Sequence, residues 1–574
     1  MEQRIQTQYE RWLERAETSV AAELREISGN PEKIEDAFYQ GLSFGTGGLR
    51  GVLGAGPNRM NLHTVARASQ GLANYLIAHF SPDRRSVAVS YDSRLQSDEF
   101  AKIASGVFAT NGIKVWIFSE LMPTPCLSFA VRKLDCAAGI MITASHNPAR
   151  YNGYKVYNAD GCQITVEEAD GILSEIQCLD YFDDVRSCDF AEAVSTGQIR
   201  YVPESVVTAY ISAVKQESEF SIKHLLPRDC PIVYSPLNGT GLKPVLRVLG
   251  ECGYTNVSVV KEQEQPDGRF PTCPRPNPEQ KEAMALGIEC AERVNAEFLL
   301  ATDPDCDRVG VAVRRAGNDY VLLSGNEVGV LLLDYICSQL RDQDRMPPNP
   351  VFIKTIVTTD LGERIAEHYG LRTINVLTGF KYIGEQIGFM ERSGHGNSFV
   401  FGFEESCGYL KGNYARDKDA VLASLLVCEM HTYYRSRGIS LLDKLEELYQ
   451  TYGYWLNDLL SYEIAGPSGT QRIQAIMEHF RRVTSEIAGI PVIQTEDYLH
   501  GLEGLPKADV LKLHLEGKAS VIIRPSGTEP KLKVYLSVCG RDADSAKRLL
   551  ENVQEKVGDM VEGLLHRSVV PTLS

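Results

Sequence analysis

The sequence predicts an α/β protein in which three successive α/β units precede a smaller α+β segment. Its 574 residues exceed what one hydrophobic core can organise, so we expect three or four domains. Short apolar runs alternate with helical patterns, and this alternation restarts twice along the chain. After about residue 454 the pattern changes to consecutive strands flanked by two helices. We therefore place the domains at residues 1–205, 206–322, 323–453 and 454–574.

Each element is assigned from its periodicity and its boundaries. Apolar runs predict strands over residues 87–90, 115–118, 139–143, 231–234, 257–260, 298–301, 309–313, 351–354, 372–376, 398–401, 509–515, 520–523 and 533–538. Apolar residues at helical spacing predict helices over residues 8–27, 98–111, 241–252, 360–369, 470–487 and 543–564. Each α/β unit finishes a strand on a polar loop, so we expect the chemistry where those strands end.

The composition narrows the class of protein. A formal net charge of −16 argues against a general nucleic-acid binder, although it permits a locally basic pocket. The 14 cysteines are scattered without a Cys-x-x-Cys pair, which favours reduced thiols over a zinc or redox site. The amino terminus lacks an apolar core, and no run of about 18 apolar residues appears. We expect a cytoplasmic protein that does not bind membranes.

The loop Thr143-Ala-Ser-His-Asn-Pro148 places one hydroxyl at a sharp turn directly after a buried strand. Pro148 prevents that strand from continuing. Ligands of open α/β sheets bind just beyond the carboxyl ends of strands, so Ser145 stands where a covalent phosphate carrier is expected. The structural alternative is an ordinary turn in which the hydroxyl bonds to local backbone.

A second loop, Ala301-Thr-Asp-Pro-Asp-Cys-Asp-Arg308, carries carboxylates at alternate positions, Asp303, Asp305 and Asp307. Apolar strands flank it on both sides, so these charges would be costly without a partner. The spacing suits a hard divalent cation such as Mg²⁺, which takes carboxylates together with a phosphate oxygen. A calcium EF-hand is excluded, because its glycine position holds Arg308 and its terminal glutamate position holds Arg314.

Four further polar segments accompany these loops. The segment Phe44-Gly-Thr-Gly-Gly-Leu-Arg-Gly51 is rich in glycine, but it has neither the lysine of a P-loop nor the dinucleotide spacing. Asn152-Gly-Tyr-Lys155 follows the serine loop, and Gly402-Phe-Glu-Glu-Ser-Cys-Gly408 follows the strand at 398–401. In Arg524-Pro-Ser-Gly-Thr-Glu-Pro-Lys531 an arginine can fork onto phosphate while glycine lets backbone amides approach.

In these segments the chain resembles the α-D-phosphohexomutase superfamily of phosphoglucomutases and phosphomannomutases. The serine loop of that superfamily reads like Thr-Ala-Ser-His-Asn-Pro and its metal loop like Asp-x-Asp-x-Asp-Arg, and the other segments match in the same order. The matches run from residue 44 to residue 531, so the resemblance covers nearly the whole chain. It implies three related α/β domains with mixed sheets and a smaller C-terminal α+β domain, around a central active-site cleft. Cys306 and Cys407 stand at positions where the family varies.

The resemblance also implies roles for individual residues. Asp303, Asp305 and Asp307 would bind Mg²⁺ together with an oxygen of phosphorylated Ser145. Arg50 and Arg308 would stabilise the phosphoryl group in transfer. Lys155, with His146 as the second candidate, would exchange the hydroxyl proton. The implied substrate-binding residues are Thr46, Arg308, Thr378, Gly379, Lys381, Glu404, Ser406, Arg524, Ser526, Gly527, Thr528 and Lys531.

The activity implied by the resemblance is a Mg²⁺-dependent interconversion of glucose 1-phosphate and glucose 6-phosphate. It would proceed through a phosphoserine and glucose 1,6-bisphosphate, which would also serve as activator. Thr378-Gly-Phe-Lys381 and Arg416-Asp-Lys-Asp-Ala420 look closest to bacterial phosphoglucomutases. Mannose and pentose phosphates stay open as substrates, because Glu404 and Ser406 would contact hydroxyls common to glucose and mannose.

Two other classes of protein share part of this pattern of residues. A phosphatase with a catalytic aspartate also places Asp-x-Asp after a buried strand, but it has no need of the serine loop. A non-catalytic sugar-phosphate sensor would keep the Arg524 loop and lose the serine or the carboxylates, whereas this chain has all of them. We therefore expect small sugar phosphates as partners.

Overall fold

The structure is a computed structural model that describes residues 3–220, 226–317, 319–464, 469–483, 485–502, 504–526 and 531–565. The chain divides into two compact units. The first unit comprises residues 1–325 and 380–436, and the second unit comprises residues 326–379 and 437–574. Among the helices described, none is long and apolar enough to cross a membrane.

The first unit begins with a layer built on one large sheet. Its elements are α1 (Gln3–Arg15), α2 (Thr18–Glu26), α3 (Pro31–Phe38), β1 (Phe44–Gly45), β2 (Gly48–Val52), α4 (Leu62–His79), β3 (Ser86–Tyr91), α5 (Ser97–Thr110), β4 (Lys114–Ile117), α6 (Thr124–Lys133), β5 (Ala138–Ile142), β6 (Tyr151–Asn158), α7 (Val166–Gln177), α8 (Phe190–Ser195), β7 (Ile199–Tyr201) and α9 (Glu204–Gln216). The seven strands lie in the order β1-β2-β6-β5-β3-β4-β7.

The register of this sheet brings two loops to one edge. Strands β3 and β5 are parallel, with Tyr91 opposite Ile142, so both strands end at the same level. Both strands consist of apolar residues and are covered by helices, and residues such as Val89 and Ile140 are fully buried. The segment after Tyr91 and the serine loop after Ile142 are therefore neighbours.

A second layer of the first unit presents the aspartate loop. Its elements are β8 (Ile232–Ser235), α10 (Leu242–Glu251), β9 (Val257–Val259), α11 (Lys261–Glu264), α12 (Lys281–Val294), β10 (Phe298–Thr302), β11 (Val309–Arg314) and β12 (Tyr320–Leu323). The strands lie in the order β12-β11-β10-β8-β9. Strands β10 and β11 are antiparallel and pair Thr302 with Val309. The three aspartates thus lie in a hairpin loop whose two ends the sheet holds together.

The chain then contributes to each unit in turn. The second unit receives α13 (Gly325–Asp342), β13 (Val351–Thr355), α14 (Leu361–His368) and β14 (Arg372–Val376), in which β13 and β14 are parallel. The first unit receives α15 (Phe380–Arg392), β15 (Phe399–Glu404), β16 (Gly408–Lys411) and α16 (Ala420–Arg435). Strands β15 and β16 form a hairpin that pairs Glu404 with Gly408. The segment 405–407 is therefore a tight turn.

The carboxyl-terminal part of the second unit is an antiparallel sheet covered by helices. Its elements are α17 (Leu441–Tyr452), β17 (Tyr454–Glu463), α18 (Gly469–Val483), β18 (Glu486–Ile487), β19 (Ile490–Asp497), β20 (Leu511–Leu515), β21 (Ala519–Pro525), β22 (Lys531–Gly540) and α19 (Ala543–Leu565). The strands lie in the order β17-β22-β21-β20-β19-β18. Helix α19 buries Val553, Val557 and Val561 against this sheet.

The predicted α/β class with mixed sheets and a final α+β part is confirmed, but two predicted helices differ. The helix predicted over 8–27 is broken between α1 and α2, because Glu17 is extended and its carboxylate pairs with His63. The helix predicted over 470–487 ends at Val483. Residues 486–487 form a strand instead, because Ala488 and Gly489 adopt positive φ and turn the chain into β19.

The buried Glu429 generates a prediction about pH. Its carboxylate accepts from Ser218 Oγ and Glu219 N–H, and burial raises its pKa to about 7. A carboxyl whose pKa is higher in the folded than in the unfolded state stabilises the fold at low pH, and this contribution is lost as pH rises towards 7. We expect the unfolding free energy of Glu429→Gln to fall less than that of the wild type between pH 5 and 8, by roughly 3 kcal/mol.

Thermal unfolding by calorimetry across that pH range measures this effect. The matched control is Glu289→Gln, an exposed glutamate on α12 of the same unit. Parallel pH profiles for the wild type and Glu429→Gln would contradict a buried carboxyl that titrates near neutrality.

Candidate active site

The serine loop holds Ser145 in a strained conformation. Its φ is 50°, in the left-handed region that few residues other than glycine adopt, and the residue is 3 % exposed. The Ser145 N–H donates to Thr143 Oγ1 at 2.7 Å, and Thr143 Oγ1 donates to Asp92 Oδ2 at 2.6 Å. Such backbone strain costs about 1–3 kcal/mol and persists only where neighbouring contacts fix it.

The aspartate loop meets this serine. Ser145 Oγ donates to Asp303 Oδ2 at 2.8 Å. The other oxygen, Asp303 Oδ1, accepts the N–H groups of Asp307 and Arg308 at 3.1 and 3.0 Å, so the loop folds around its first carboxylate. Cys306 takes a left-handed φ of 51° within the loop.

The amino terminus of α6 supports the middle carboxylate. Thr124 N–H donates to the Asp305 backbone oxygen at 2.9 Å, and Thr124 Oγ1 donates to Asp305 Oδ2 at 2.9 Å. A helix amino terminus favours negative charge, so this contact stabilises the Asp305 carboxylate as well as orienting it.

Two buried lysines balance the carboxylates. Lys155 on β6 donates to Asp305 Oδ2 at 2.7 Å and to Asp307 Oδ2 at 3.3 Å. Lys418, just before α16, lies 2.9 Å from Asp307 Oδ2. All five groups, Asp303 included, are less than a tenth exposed, so these ion pairs lie in a medium of low polarity.

The electrostatics of the cluster show that the two cations do not fully satisfy it. Burial raises the pKa of Asp303 well above its usual range, and the neighbouring Asp305 and Asp307 raise it further. Burial would lower the pKa of Lys155, but the charges of Asp305 and Asp307 outweigh it and raise that pKa instead. Lys155 is thus an ammonium group. The raised pKa of Asp303 favours the protonated form of its carboxyl.

His146 lies beside the serine and near the charge of Arg50. His146 Nδ1 is 3.3 Å from Ser145 Oγ. Burial lowers the pKa of His146 well below its usual range, and the nearby charges of Arg308 and Arg50 lower it further. The imidazole is therefore neutral. Arg50 lies on β2 opposite Gly153 of β6, which carries Lys155 two residues later.

Arg308 is held beside the aspartates by Glu279, which no sequence pattern singled out. Its Nη1 donates to Glu279 Oε1 at 2.7 Å, and its Nε lies 3.9 Å from Asp307 Oδ1. That Nε is buried and has no hydrogen-bond partner among the residues that the structure describes. Glu279 therefore orients the guanidinium through its other nitrogen.

The turn between β15 and β16 adds a carboxylate and a hydroxyl. Ser406 Oγ donates to Glu404 Oε1 at 3.0 Å, and Lys418 Nζ lies 4.0 Å from the same oxygen. Cys407 takes a left-handed φ of 58° in this turn. Lys418 thus links the Glu404 turn to the aspartate loop.

The residues present fit a hard divalent cation. Oxygens of Asp303, Asp305 and Asp307 lie within 4.8 Å of one another. Asp305 Oδ1 and Asp307 Oδ1 are buried and have no hydrogen-bond partner in the described ranges, as expected of atoms that serve as metal ligands. Oxygen donors of this kind suit Mg²⁺ rather than zinc.

The remaining predicted residues belong to other elements of the two units. Thr46 lies in the turn between β1 and β2, and Lys381 begins α15 with its ammonium 4.8 Å from the Tyr382 ring centre. Those in the second unit are Thr378, Gly379, Arg524, Ser526 and Lys531. There Ser526 N–H donates to the Lys531 backbone oxygen at 2.7 Å and closes the loop after β21. Gly527 and Thr528 lie outside the described residues.

Sequence reasoning missed Lys418, Glu279 and Thr124 as members of this site. Lys418 belongs to the run Arg-Asp-Lys-Asp at 416–419, and its burial is a property of the folded chain that this run does not reveal. Thr124 lies between two prolines at the start of α6, a pattern that indicates a helix amino terminus rather than a site residue. No sequence signal pointed to Glu279.

A serine, three carboxylates and several cations gathered at the strand ends of an α/β fold are typical of enzymes that handle phosphate groups. Sequence profiles of the phosphoglucomutase/phosphomannomutase family match this chain over residues 41–181, 208–317 and 324–452 for the alpha/beta/alpha domains I, II and III. The profile of its C-terminal domain matches residues 482–556. The chain therefore belongs to the phosphoglucomutase/phosphomannomutase family, which confirms the resemblance. It is an enzyme of the isomerase class, in the group termed intramolecular phosphotransferases.

Individual relatives agree with this assignment. A phosphoglucomutase of Staphylococcus saprophyticus is 35% identical over 555 residues, which cover 94% of this chain and 98% of the relative. A putative phosphomannomutase from Thermus thermophilus shares the fold, with a TM-score of 0.69, 24% identity and coverage of 91% of this chain and 100% of that chain. The Paramecium protein parafusin also shares it, with a TM-score of 0.68, 17% identity and coverage of 93% and 98%.

The aspartate loop generates a prediction about metal binding. We expect Asp305→Asn to weaken Mg²⁺ binding roughly tenfold or more, because one carboxylate fewer leaves less charge to attract a strongly hydrated cation. Titration calorimetry of the metal-free protein with Mg²⁺ measures this. The control is Asp170→Asn, an exposed residue on α7. Equal Mg²⁺ affinity in the wild type and Asp305→Asn would remove this loop as the metal site.

Proposed function

We propose that this protein is a Mg²⁺-dependent phosphohexomutase that interconverts glucose 1-phosphate and glucose 6-phosphate. In this reaction phosphorylated Ser145 gives its phosphoryl group to the free hydroxyl of the substrate. The resulting glucose 1,6-bisphosphate turns over and returns its other phosphoryl group to Ser145. The same bisphosphate loads an unphosphorylated enzyme and so acts as its activator.

The observation that carries this proposal is the contact between Ser145 Oγ and Asp303 Oδ2 at 2.8 Å inside the cluster of carboxylates. Three buried carboxylates beside a hydroxyl are energetically unfavourable unless a cation and a phosphate group bind between them. Lys155, Lys418 and Arg308 surround the same point with positive charge. Together these groups favour an anion on Ser145.

The residues of the chain would stabilise the transfer by charge and by position. When bound by Asp303, Asp305 and Asp307, Mg²⁺ would supply positive charge to the oxygens of the phosphoryl group. Arg308 is oriented by Glu279, and its Nε, which lacks a hydrogen-bond partner within the described part of the chain, would donate to a phosphoryl oxygen. Arg50 would add positive charge from β2.

The acceptor hydroxyl must lose a proton when its oxygen attacks phosphorus and the bond from phosphorus to Ser145 Oγ breaks. Two side chains of the site are candidates for this proton exchange. Lys155 reaches the carboxylates from β6, and His146 Nδ1 lies 3.3 Å from Ser145 Oγ. We propose Lys155 for this proton transfer, with His146 as the second candidate.

The Glu404 turn would recognise the sugar. A carboxylate accepts hydrogen bonds from ring hydroxyls, and Ser406 already orients Glu404 Oε1 at 3.0 Å. We propose glucose because relatives at 35% and 36% identity are named phosphoglucomutases. Mannose and pentose phosphates are the alternatives, and kcat/KM on glucose, mannose and ribose 1-phosphates ranks the three.

The covalent mechanism rests on Ser145, and its removal is the central test. We expect Ser145→Ala to turn over at less than about 1 % of the wild-type rate, because the chain offers no second carrier at that position. Binding of glucose 6-phosphate, measured by calorimetry, should survive. Intact-mass spectrometry should find one labile phosphate on the active wild type and none on the variant.

The control for this variant is Ser195→Ala, whose exposed hydroxyl donates to the Glu192 backbone oxygen within α8. It should keep both the phosphate and full activity. If Ser145→Ala retained more than a few per cent of activity, the phosphoserine mechanism would be wrong.

The loop after β21 would hold the phosphate that is not being transferred. We expect Arg524→Ala to weaken substrate binding roughly tenfold to a hundredfold, since a bidentate contact to a charged group is worth about 1.5–3 kcal/mol. Ser145 should still become phosphorylated. The bisphosphate should escape more often and accumulate in solution, which ³¹P NMR during turnover measures.

Arg541→Ala is the matched control, because Arg541 follows β22 of the same sheet with its side chain 89% exposed. An unchanged KM in Arg524→Ala, without released bisphosphate, would show that this loop does not hold the distal phosphate.

A further inference from the structure

Arg94 binds the serine loop through the backbone oxygens of the loop and of the residue that begins β6. Its Nη1 donates to the backbone oxygens of Pro148 and Tyr151, each at 3.0 Å. Its Nη2 donates to the backbone oxygens of Ser145 and Asn147. One guanidinium thus holds four carbonyl groups of a single loop. A lysine has one ammonium group and cannot reproduce this planar fork.

Asp92 anchors the same loop from its other side. Asp92 Oδ2 accepts the Thr143 hydroxyl at 2.6 Å, and Thr143 Oγ1 in turn accepts the Ser145 N–H at 2.7 Å. Asp92 Oδ1 accepts from Arg94 N–H and from Ser97 Oγ, at 2.9 and 2.8 Å. The Asp92 carboxylate also lies 3.4 Å from Arg94 Nε. The loop is therefore held through both its N–H and its carbonyl groups.

These contacts are sealed from water. The side chains of Asp92 and Arg94 are both 0% exposed. Phe270 packs on the guanidinium, with 5.0 Å from Arg94 Cζ to the ring centre. Gly268 lies so close that a Cβ there would be 2.4 Å from Leu95 N. Burying a charged pair this completely is costly, and a fold that only needed a filled core could use apolar groups.

We propose that Asp92 and Arg94, with Thr143 as their link, are positioning residues for phosphoryl transfer at Ser145. They hold Ser145 at its left-handed φ of 50°, which keeps Oγ 2.8 Å from Asp303 Oδ2. This inference rests on the proposed function for its kinetic consequences, whereas its structural claim about the loop stands independently. A displacement of about 1 Å at a reacting atom can cost about a hundredfold in rate.

The test compares Thr143→Val with Thr143→Ser in the Mg²⁺-loaded, full-length protein. Valine keeps the shape but removes the hydroxyl, whereas serine keeps the hydroxyl. We expect Thr143→Val to speed amide hydrogen exchange in residues 143–152, and to lower kcat roughly tenfold to a hundredfold with KM within about twofold. Thr143→Ser should restore most of both properties. The control is Thr110→Val, an exposed threonine that ends α5.

A second measurement addresses Arg94 itself. Arg94→Ala leaves a buried space the shape of a guanidinium group, so millimolar guanidinium should recover part of kcat and slow exchange in residues 143–152. Sodium chloride at equal ionic strength should neither recover kcat nor slow this exchange. If Arg94→Ala fails to fold, the Thr143 pair still decides the proposal.

The outcomes separate this inference from the proposed function. A wild type without mutase turnover would contradict the function, while the exchange contrast between Thr143→Val and Thr143→Ser would still report the anchoring of the loop. Unchanged exchange in Thr143→Val, or faster exchange with kcat within twofold of the wild type, would overturn the positioning role. Faster exchange throughout the first unit would also overturn it, because that result indicates a general structural defect.

Discussion

The arrangement of the first unit depends on neutralising three carboxylates buried at the end of one hairpin. Asp303, Asp305 and Asp307 are at most 1% exposed, and isolated charges in such a place would cost several kcal/mol each. The compensating groups come from different parts of the unit: Lys155 from β6 and Lys418 from the segment before α16. Each cation fixes its own element against the aspartate hairpin, so the ion pairs also determine how the layers of this unit pack.

The loops that carry the site share a second constraint, which is a left-handed residue other than glycine. Ser145, Cys306 and Cys407 have φ values of 50°, 51° and 58°. Such conformations are unfavourable by themselves, and each is maintained by the hydrogen bonds of its loop. The strain turns the chain sharply at the end of a strand, so polar side chains face the site rather than the sheet. At the serine loop the buried Asp92 and Arg94 supply the necessary contacts.

Much of the fold and part of the site could be predicted from local patterns. The strand before Ser145 and the strands around Asp303 are apolar runs, and their positions agree with β5, β10 and β11 within about one residue. The polar loops at their ends followed from the position of strand ends in α/β sheets. Lys418 and Glu279 were missed as site residues, because they reach the aspartates from distant segments and carry no local signal. The break between α1 and α2 was missed for the same reason, since it depends on the pairing of Glu17 with His63.

The sequence by itself determined the α/β class, the order of the elements and the loops that contain Ser145 and the aspartates, because periodicity and turn residues act over a few positions. Tertiary structure alone decided which charges meet. The parallel register of β3 and β5 brings Asp92 to the serine loop, and the β10–β11 hairpin brings Asp303 to Ser145 Oγ. The protonation tendencies of Asp303 and His146 follow only from this assembly, because burial and neighbouring charge are properties of the folded chain rather than of any short segment.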